Sequence, residues 1–189
     1  MRLLVLIDQE IPLRFDRATR EPLGGAPGGE DPGRAWERGR FQAPYLRDSL
    51  LDLGVLVETL ETATQWSNLL RLHDRVSAAI AAALRSCGTP GLVMCHVSHL
   101  YETGASLYFT FLAARRGEDE LGEWHAAKRA ASDAIVQGAG TITHHHAIGR
   151  DHAPWMRDEV GADGVDALRA LKAQLDPAGI MNPGKLLDA

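Results

Sequence analysis

The sequence predicts an α+β protein in which an antiparallel sheet carries helices on one of its faces. Two extended apolar segments, residues 92–97 and 106–112, are separated by the turn-forming segment 101–104, which indicates a β-hairpin. Long helical patterns over residues 66–84 and 118–137 stand before and after that hairpin. Strands and helices in this order are typical of a mostly antiparallel sheet with helices on one side.

The first part of the chain is predicted to contain a strand, a linker and a short helix. Residues 2–8 form a short apolar run without a small-residue cleavage site, which favours a buried strand over a signal peptide. Residues 24–33 are rich in Gly and Pro and indicate a linker rather than a phosphate-binding loop. Pro44 suits the first turn of a helix over residues 43–53, and a further strand begins at Val55.

Apolar side chains in the two long helices indicate the faces that point to the core. In residues 66–84 they recur at helical spacing, at Leu69, Leu72, Val76, Ile80 and Ala83. In residues 118–137 the predicted core-facing side chains are Leu121, Trp124, Ala131 and Ile135. Two more helices are predicted over residues 155–160 and 165–175, followed by a Pro-punctuated tail over residues 176–187.

Composition excludes several classes of function. The 189 residues are 45% hydrophobic and 24% charged, as is typical of a globular protein with a real core. The net charge of −5, without a block of Lys or Arg, argues against nucleic-acid binding. Two cysteines suit a reducing compartment, and no apolar stretch is long enough to span a membrane. We therefore expect a cytoplasmic protein, with peripheral membrane contact left open.

Three consecutive histidines, His144, His145 and His146, are the most informative feature of the chain. Imidazole exchanges protons near neutral pH, so the run indicates a proton-handling and phosphate-binding site or a metal site. The β-branched residues 141–143 favour an extended entry into the run. If that geometry persists, His144 and His146 share one face, roughly 6–7 Å apart, and His145 points the other way.

Two other side chains suit catalysis, although each also has an ordinary structural explanation. Strand alternation places Leu107, Phe109 and Phe111 on one face and Tyr108 on the other, from which a phenol can exchange a proton with a substrate in a cleft. Arg47 can hold a carboxylate through its planar guanidinium group. The alternatives are a half-buried strand aromatic and a helix arginine that pairs with a nearby acid.

Metal ligation is the less favoured interpretation of the histidines. Cys95, His96 and His99 match none of the common structural zinc spacings. A set of His144, His146 and His152 lacks an obvious carboxylate or thiolate partner. We therefore predict no metal site.

Taken in order, five groups of residues make the chain resemble one family. They are residues 44–48, residues 58–63 with Trp66, residues 96–105 with Tyr108 and Phe109, the three histidines, and the tail from Leu175 to Lys185. This ordered set resembles the C-terminal part of FAD-linked oxidases of the vanillyl-alcohol oxidase class, in particular the alkyldihydroxyacetonephosphate synthases. The resemblance covers about residues 34–187.

The resemblance implies a domain organisation and a cofactor. In that family an N-terminal domain binds FAD, and the C-terminal portion is a cap with a ferredoxin-like sheet and a helical tail that returns to the FAD domain. Residues 1–189 would then be the cap or substrate domain, with the FAD-binding domain missing from this chain and supplied in cis or in trans. Asn182 and Lys185 in the tail are the residues that the resemblance marks as FAD contacts.

The resemblance also implies an activity and residue roles. Such synthases exchange the acyl chain of an acyl-dihydroxyacetone phosphate for a fatty alcohol, which forms an ether lipid without net redox change. Tyr108 matches the tyrosine that acts on the substrate's α-proton, Arg47 the arginine that holds the departing carboxylate, and His144, His145 and His146 an active-site run that handles phosphate and protons. We expect the isolated chain to be inactive.

Two alternatives remain open at this point. One is an FAD-dependent 2-hydroxy-acid oxidase or dehydrogenase of the D-lactate or glycolate type. Those relatives usually carry a Glu-His pair where this chain has His145 and His146, which argues against them. The other alternative is a catalytically inert cap-domain fragment. A lipid-like or hydroxy-acid substrate is expected in the first two cases, and a homodimer is left open.

Overall fold

The core of the fold is a three-stranded antiparallel sheet with two helices packed on one face. The computed structural model describes residues 37–39, 41–115 and 119–187. The strands are β1 (Val55–Gln65), β2 (Gly91–Ser98) and β3 (Gly104–Ala114), in the spatial order β1-β3-β2. The predicted α+β class is confirmed, whereas the strand predicted over residues 2–8 and the linker over 24–33 lie outside the described residues.

Two long helices cover one face of the sheet, as the sequence predicts. They are α2 (Leu69–Ser86) and α3 (Glu120–Gln137), and α1 (Ala43–Asp52) precedes the first strand. The strand–helix–strand–strand–helix order from β1 to α3, together with the order β1-β3-β2, is that of a ferredoxin-like sheet. A 3₁₀ turn over Trp66–Asn68 leads from β1 into α2.

The buried face of the sheet is the one that the sequence predicts from the alternation of apolar residues in β3 and from their helical spacing in α2. Leu107, Phe109 and Phe111 are at most 1% exposed and pack against α2 and α3. The predicted stripe of α2 is buried at four of its five positions, and Leu84 is buried where Ala83 was expected. This core fixes the orientation of β3, so its even-numbered residues face the other side of the sheet.

Leu121 is the one predicted core residue that lies on the surface, because the sequence pattern was assigned the wrong helical phase there. It is 71% exposed in the first turn of α3. The buried positions of that helix include Glu123, Ala127 and Ala131, at intervals of four. A residue two positions before Glu123 is rotated by about 200° around the helix and so faces solvent.

The C-terminal part forms a helical tail, as predicted. The helix α4 (Met156–Leu175) contains a break at Gly161, whose φ of 77° and ψ of 169° are not helical, so two helical segments meet there. After the helix, Asp176 accepts hydrogen bonds from the backbone N–H groups of Ile180 and Met181 and from Lys172. The hydrogen bond from Lys172, followed by those from the Met181 and Ile180 N–H groups, lowers the pKa of the Asp176 carboxyl. The same bonds hold the turn that follows the helix.

Candidate functional site

A row of polar side chains crosses the face of the sheet that the helices leave uncovered. In the strand register Tyr108 of β3 is paired with Glu61 of β1 on one side and with His96 of β2 on the other. Directly paired residues of antiparallel strands lie on the same face, so these three side chains form one line. The rings of His96 and Tyr108 are stacked, with 4.9 Å between their centroids.

The histidine run begins beside this row because its backbone is bonded to the edge of β1. The N–H of Thr141 donates to the carbonyl of Ala63, and the N–H of His144 donates to the carbonyl of Glu61, each at 3.1 Å. The segment therefore runs antiparallel to β1, along the edge that no other strand of the described residues occupies. Thr62 reinforces the contact by donating from its hydroxyl to the carbonyl of Thr141 at 2.6 Å.

The predicted alternation within the histidine run is wrong. His145 and Ala147 have positive φ angles of 61° and 63°, so the extended backbone ends at His144. As a result the ring of His145 does not point away but stacks on that of His144, with 4.0 Å between centroids. The ring of His146 makes an edge-to-face contact with the ring of Tyr108, with 5.4 Å between their centroids. The run acts as one cluster.

Glu61 is the centre of that cluster. It is 4% exposed, and its Oε1 lies 3.3 Å from Nδ1 of His144 and 3.8 Å from Nε2 of His99, while its Oε2 lies 3.7 Å from Nε2 of His146. The hydroxyl of Ser98 donates to Oε1 at 3.4 Å. A buried carboxylate needs such partners, so Glu61 ties three imidazoles to the polar row.

A second tyrosine completes the cluster at its outer side. The hydroxyl of Tyr101 lies 3.1 Å from Nε2 of His144 in a hydrogen bond. The ring of His99 lies against those of His144 and His145, at 5.1 and 4.5 Å. The site therefore combines phenols, imidazoles and one carboxylate, which are groups that can exchange protons and bind an anionic or metal ligand.

Tyr108 and the three histidines, which the family resemblance assigns to one active site, lie together in the structure. Glu61, His99 and Tyr101 were not predicted as site residues. A signal for Glu61 existed, because Leu60 belongs to the core face and strand alternation then places its neighbour on the face of Tyr108. Nothing local indicates that the turn holding His99 meets the histidine run.

The Arg47, Asn182 and Lys185 side chains are not bonded to this cluster among the residues that the structure describes. Arg47 is half exposed on α1 and forms an ion pair with Asp48 at 4.0 Å. Asn182 and Lys185 are exposed in the tail, whose Leu186 donates its N–H to the carbonyl of Gly149 at 2.8 Å. The tail thus returns to the loop that carries the histidines, and the roles of all three residues stay predictions.

Two other candidate ligands point elsewhere. Burial raises the pKa of the Cys95 thiol to about 12, and this residue pairs with Phe109 on the helix side of the sheet, away from His96. His152 is buried, and its Nδ1 lies 3.2 Å from the carbonyl of Ala147. Burial, followed by the charge of Lys128, lowers the pKa of His152. His152 therefore packs beneath the segment 144–147, which we call the histidine loop, and is hydrogen-bonded to its last residue.

Comparison with known proteins defines the class to which this fold and site belong. The family model "FAD linked oxidases, C-terminal domain" matches residues 25–186, and the chain belongs to that family. Within it, the chain is similar to the alkyldihydroxyacetonephosphate synthases of Trypanosoma brucei brucei and Dictyostelium discoideum. It is 35% identical to the first over 84% of this chain and 26% of the relative, and 33% identical to the second over 92% and 28%.

A solved structure agrees with the sequence comparisons. An alkyldihydroxyacetonephosphate synthase superposes with a TM-score of 0.58 and 28% identity, over 82% of this chain and 25% of that chain. The predicted membership of this oxidase class is therefore confirmed. The chain spans about a quarter of the length of the curated relatives that it matches. In the described part of the chain, no helix is long and apolar enough to cross a membrane.

Proposed function

We propose that this chain is the C-terminal substrate domain of an FAD-dependent alkylglycerone-phosphate synthase-like enzyme. Such an enzyme exchanges the acyl group of acyl-dihydroxyacetone phosphate for a fatty alcohol. The observation that carries the proposal is the convergence of Tyr108 with the imidazoles around Glu61 on the uncovered face of the sheet. The similarity to synthases from two organisms supports the same substrate class.

The uncovered face also suits a flavin. Leu92 and Met94 are 56% and 40% exposed and lie on the same face of β2 as His96. If FAD binds here, Leu92 and Met94 would supply apolar contacts, and His96 and Tyr108 would supply polar ones. When bound, FAD supplies an electron-accepting ring that the protein side chains lack. Most contacts to it would come from an N-terminal FAD-binding domain, joined in cis or in trans, with Asn182 and Lys185 adding contacts from the tail.

The protein side chains then have three tasks. The phenol oxygen of Tyr108 removes the α-proton of the acyl-dihydroxyacetone phosphate, and the imidazole cluster receives protons and binds the phosphate. Arg47 binds the departing fatty acid carboxylate through two parallel hydrogen bonds. The C–O bond to the acyl group breaks and the group leaves as a carboxylate. The fatty alcohol forms the new C–O bond and gives its proton to the imidazole cluster. The α-proton returns to its carbon, so substrate and product have the same oxidation level.

We also infer a location and an assembly for the enzyme, of which the lipid substrate class supports the membrane contact. We infer a cytoplasmic protein that contacts a membrane surface peripherally, because acyl-dihydroxyacetone phosphate and fatty alcohols partition into lipid. We also propose a homodimer of the intact enzyme. A sedimentation experiment with and without lipid vesicles tests both inferences, and a monomer that stays in the supernatant with vesicles would contradict them.

The activity is tested with labelled fatty alcohol and acyl-dihydroxyacetone phosphate. We expect ether product when the FAD-binding domain is present in cis or in trans, and none with the isolated chain. Oxidation of D-lactate or glycolate without ether product would assign the chain to the hydroxy-acid enzymes. Absence of both activities from an FAD-loaded, folded complex would indicate an inert cap fragment.

A further inference from the structure

We propose that Glu61, His99, His144 and His145 form a binding site for one Zn²⁺ ion. One ligand atom from each of these residues lies within 4.8 Å of all the others, and three imidazole nitrogens with one carboxylate oxygen are a typical zinc donor set. The proposal goes beyond the proposed synthase function and uses His144 and His145 of the same imidazole cluster, but its test does not depend on that function. The sequence argued against a metal because the histidines lacked an acidic partner, and Glu61 is that partner.

The distances are close to those of a zinc site. Zinc–nitrogen and zinc–oxygen bonds of about 2.0–2.1 Å in a tetrahedron place neighbouring ligand atoms about 3.3 Å apart. Oε1 of Glu61 lies 3.3 Å from Nδ1 of His144 and 3.8 Å from Nε2 of His99. The four ligand atoms lie within 4.8 Å of one another, so they need to approach by roughly 1 Å or more. The ring of His145 must also rotate out of its stack on His144, so that both imidazole lone pairs point at one ion.

His144 has an unused ring nitrogen at the centre of the set. Its Nδ1 is buried and makes no hydrogen bond with any residue that the structure describes, although it lies opposite Glu61. Its Nε2 is already engaged with the hydroxyl of Tyr101. When Nε2–H donates to Tyr101, Nδ1 presents a lone pair to the carboxylate, and a cation between the two satisfies both. A hydrogen bond on the second ring nitrogen is the usual arrangement of a metal-bound histidine.

The backbone brings the other two histidines to the same point. His99 and His145 have positive φ angles of 47° and 61°, a conformation that residues other than glycine adopt uncommonly and that concentrates at ligand sites. Both side chains are partly exposed, so an ion can enter from solvent while Glu61 holds it from the buried side. With one carboxylate and neutral imidazoles the bound site keeps a net positive charge, which is compatible with phosphate binding nearby.

The experiment is a calorimetric titration of the chelator-treated 189-residue chain with zinc sulfate. We expect about one equivalent to bind with a dissociation constant of about 1 μM or tighter. His99→Ala and Glu61→Gln should each weaken binding by roughly 100-fold, since loss of a ligand exceeds the 10–100-fold effect of an outer-shell partner. His125→Ala, which changes an exposed histidine of α3, should bind zinc as the unchanged chain does.

The variants are checked for folding by circular dichroism, and His99→Ala gives the decisive result if Glu61→Gln fails to fold, since His99 lies in an exposed turn. The visible spectrum of a Co²⁺-substituted chain provides a second readout, in which intense d–d bands support four-coordinate ligation. Absence of zinc binding, equal affinity after His99→Ala, or weaker binding after His125→Ala would each overturn the proposal. The titration needs neither FAD nor lipid substrate, so its failure is distinct from failure of the synthase assay.

Discussion

The two faces of the sheet differ in the residues that they carry and in how well the sequence predicts them. We call the face covered by α2 and α3 the helix face and the face that carries Tyr108 the open face. On the helix face of β3, Phe109 and Phe111 are fully buried in the hydrophobic core that the sheet forms with α2 and α3. On the opposite face, Tyr108 stands between Glu61 and His96, and the histidine loop closes over the row from the edge of β1. Adjacent residues of one strand therefore have opposite environments, with Phe109 in the core and Tyr108 in the polar row.

The largest expected effect is on the helix face. Phe109→Ala should lower the free energy of unfolding by about 3–5 kcal/mol, because it leaves a large cavity between the sheet and its helices. Urea unfolding followed by circular dichroism measures the change. The matched control is Tyr108→Phe, one residue away on the other face, which should change stability by about 1 kcal/mol or less. Equal losses in both variants would contradict the division between the faces.

The second expected effect is a change on the open face that lowers the turnover rate of the intact enzyme. Tyr108→Phe in the intact, FAD-loaded enzyme should reduce turnover roughly 100-fold or more, because the phenol oxygen that accepts the α-proton is lost. Labelled ether product formed per minute is the measurement. Phe109→Leu serves as the control, since it should reduce stability yet leave the turnover of the folded enzyme unchanged. A near-normal rate for Tyr108→Phe would remove its hydroxyl from the mechanism.

The sequence predicted the helix face well because its signals are local. The alternation of β3 and the stripe of α2 are visible within one element, and the core uses the predicted residues Leu72, Val76 and Phe109. Leu121 was misplaced because a single apolar residue in a first turn says little about helical phase. The family resemblance was recoverable for a different reason, since it rested on an ordered set of motifs along the whole chain.

The open face was predicted only in part because its geometry depends on contacts between distant segments. Tyr108 and the histidine run were found from residue type and motif, but their meeting around Glu61 requires the loop to bond to the edge of β1. The left-handed conformation of His145 gathers the run into one cluster, and the β-branched residues before it gave no indication of that change. No local pattern encodes such a contact.

A third, smaller effect tests whether Arg47 belongs to the same site as Tyr108. Arg47→Lys should lower turnover of the intact enzyme by roughly tenfold, because an ammonium group replaces a two-point carboxylate contact with a single one. The control is Arg85→Lys in the last turn of α2, where the side chain is exposed. A rate unchanged by Arg47→Lys would leave this residue as a surface arginine paired with Asp48.

The smallest effect concerns the support behind the histidine loop. His152 is buried, and burial with the nearby Lys128 charge lowers its pKa below the usual 6.5, while Asp151 acts weakly in the opposite direction. As the pH falls below 6.5, the unfolded chain takes up this proton before the folded chain does, so the contribution of His152 to stability is complete above that pH and decreases below it.

Urea midpoints at about pH 7.5 and about pH 5.5 test this expectation, because the two values lie on either side of the histidine range. His152→Asn should lower the midpoint at the higher pH and reduce the difference between the two conditions. His125→Ala, which alters an exposed histidine on α3, should leave the difference as it is. If His152→Asn retains the full pH dependence, the burial of His152 is not the source of the acid sensitivity, and the role that we assign to this side chain is wrong.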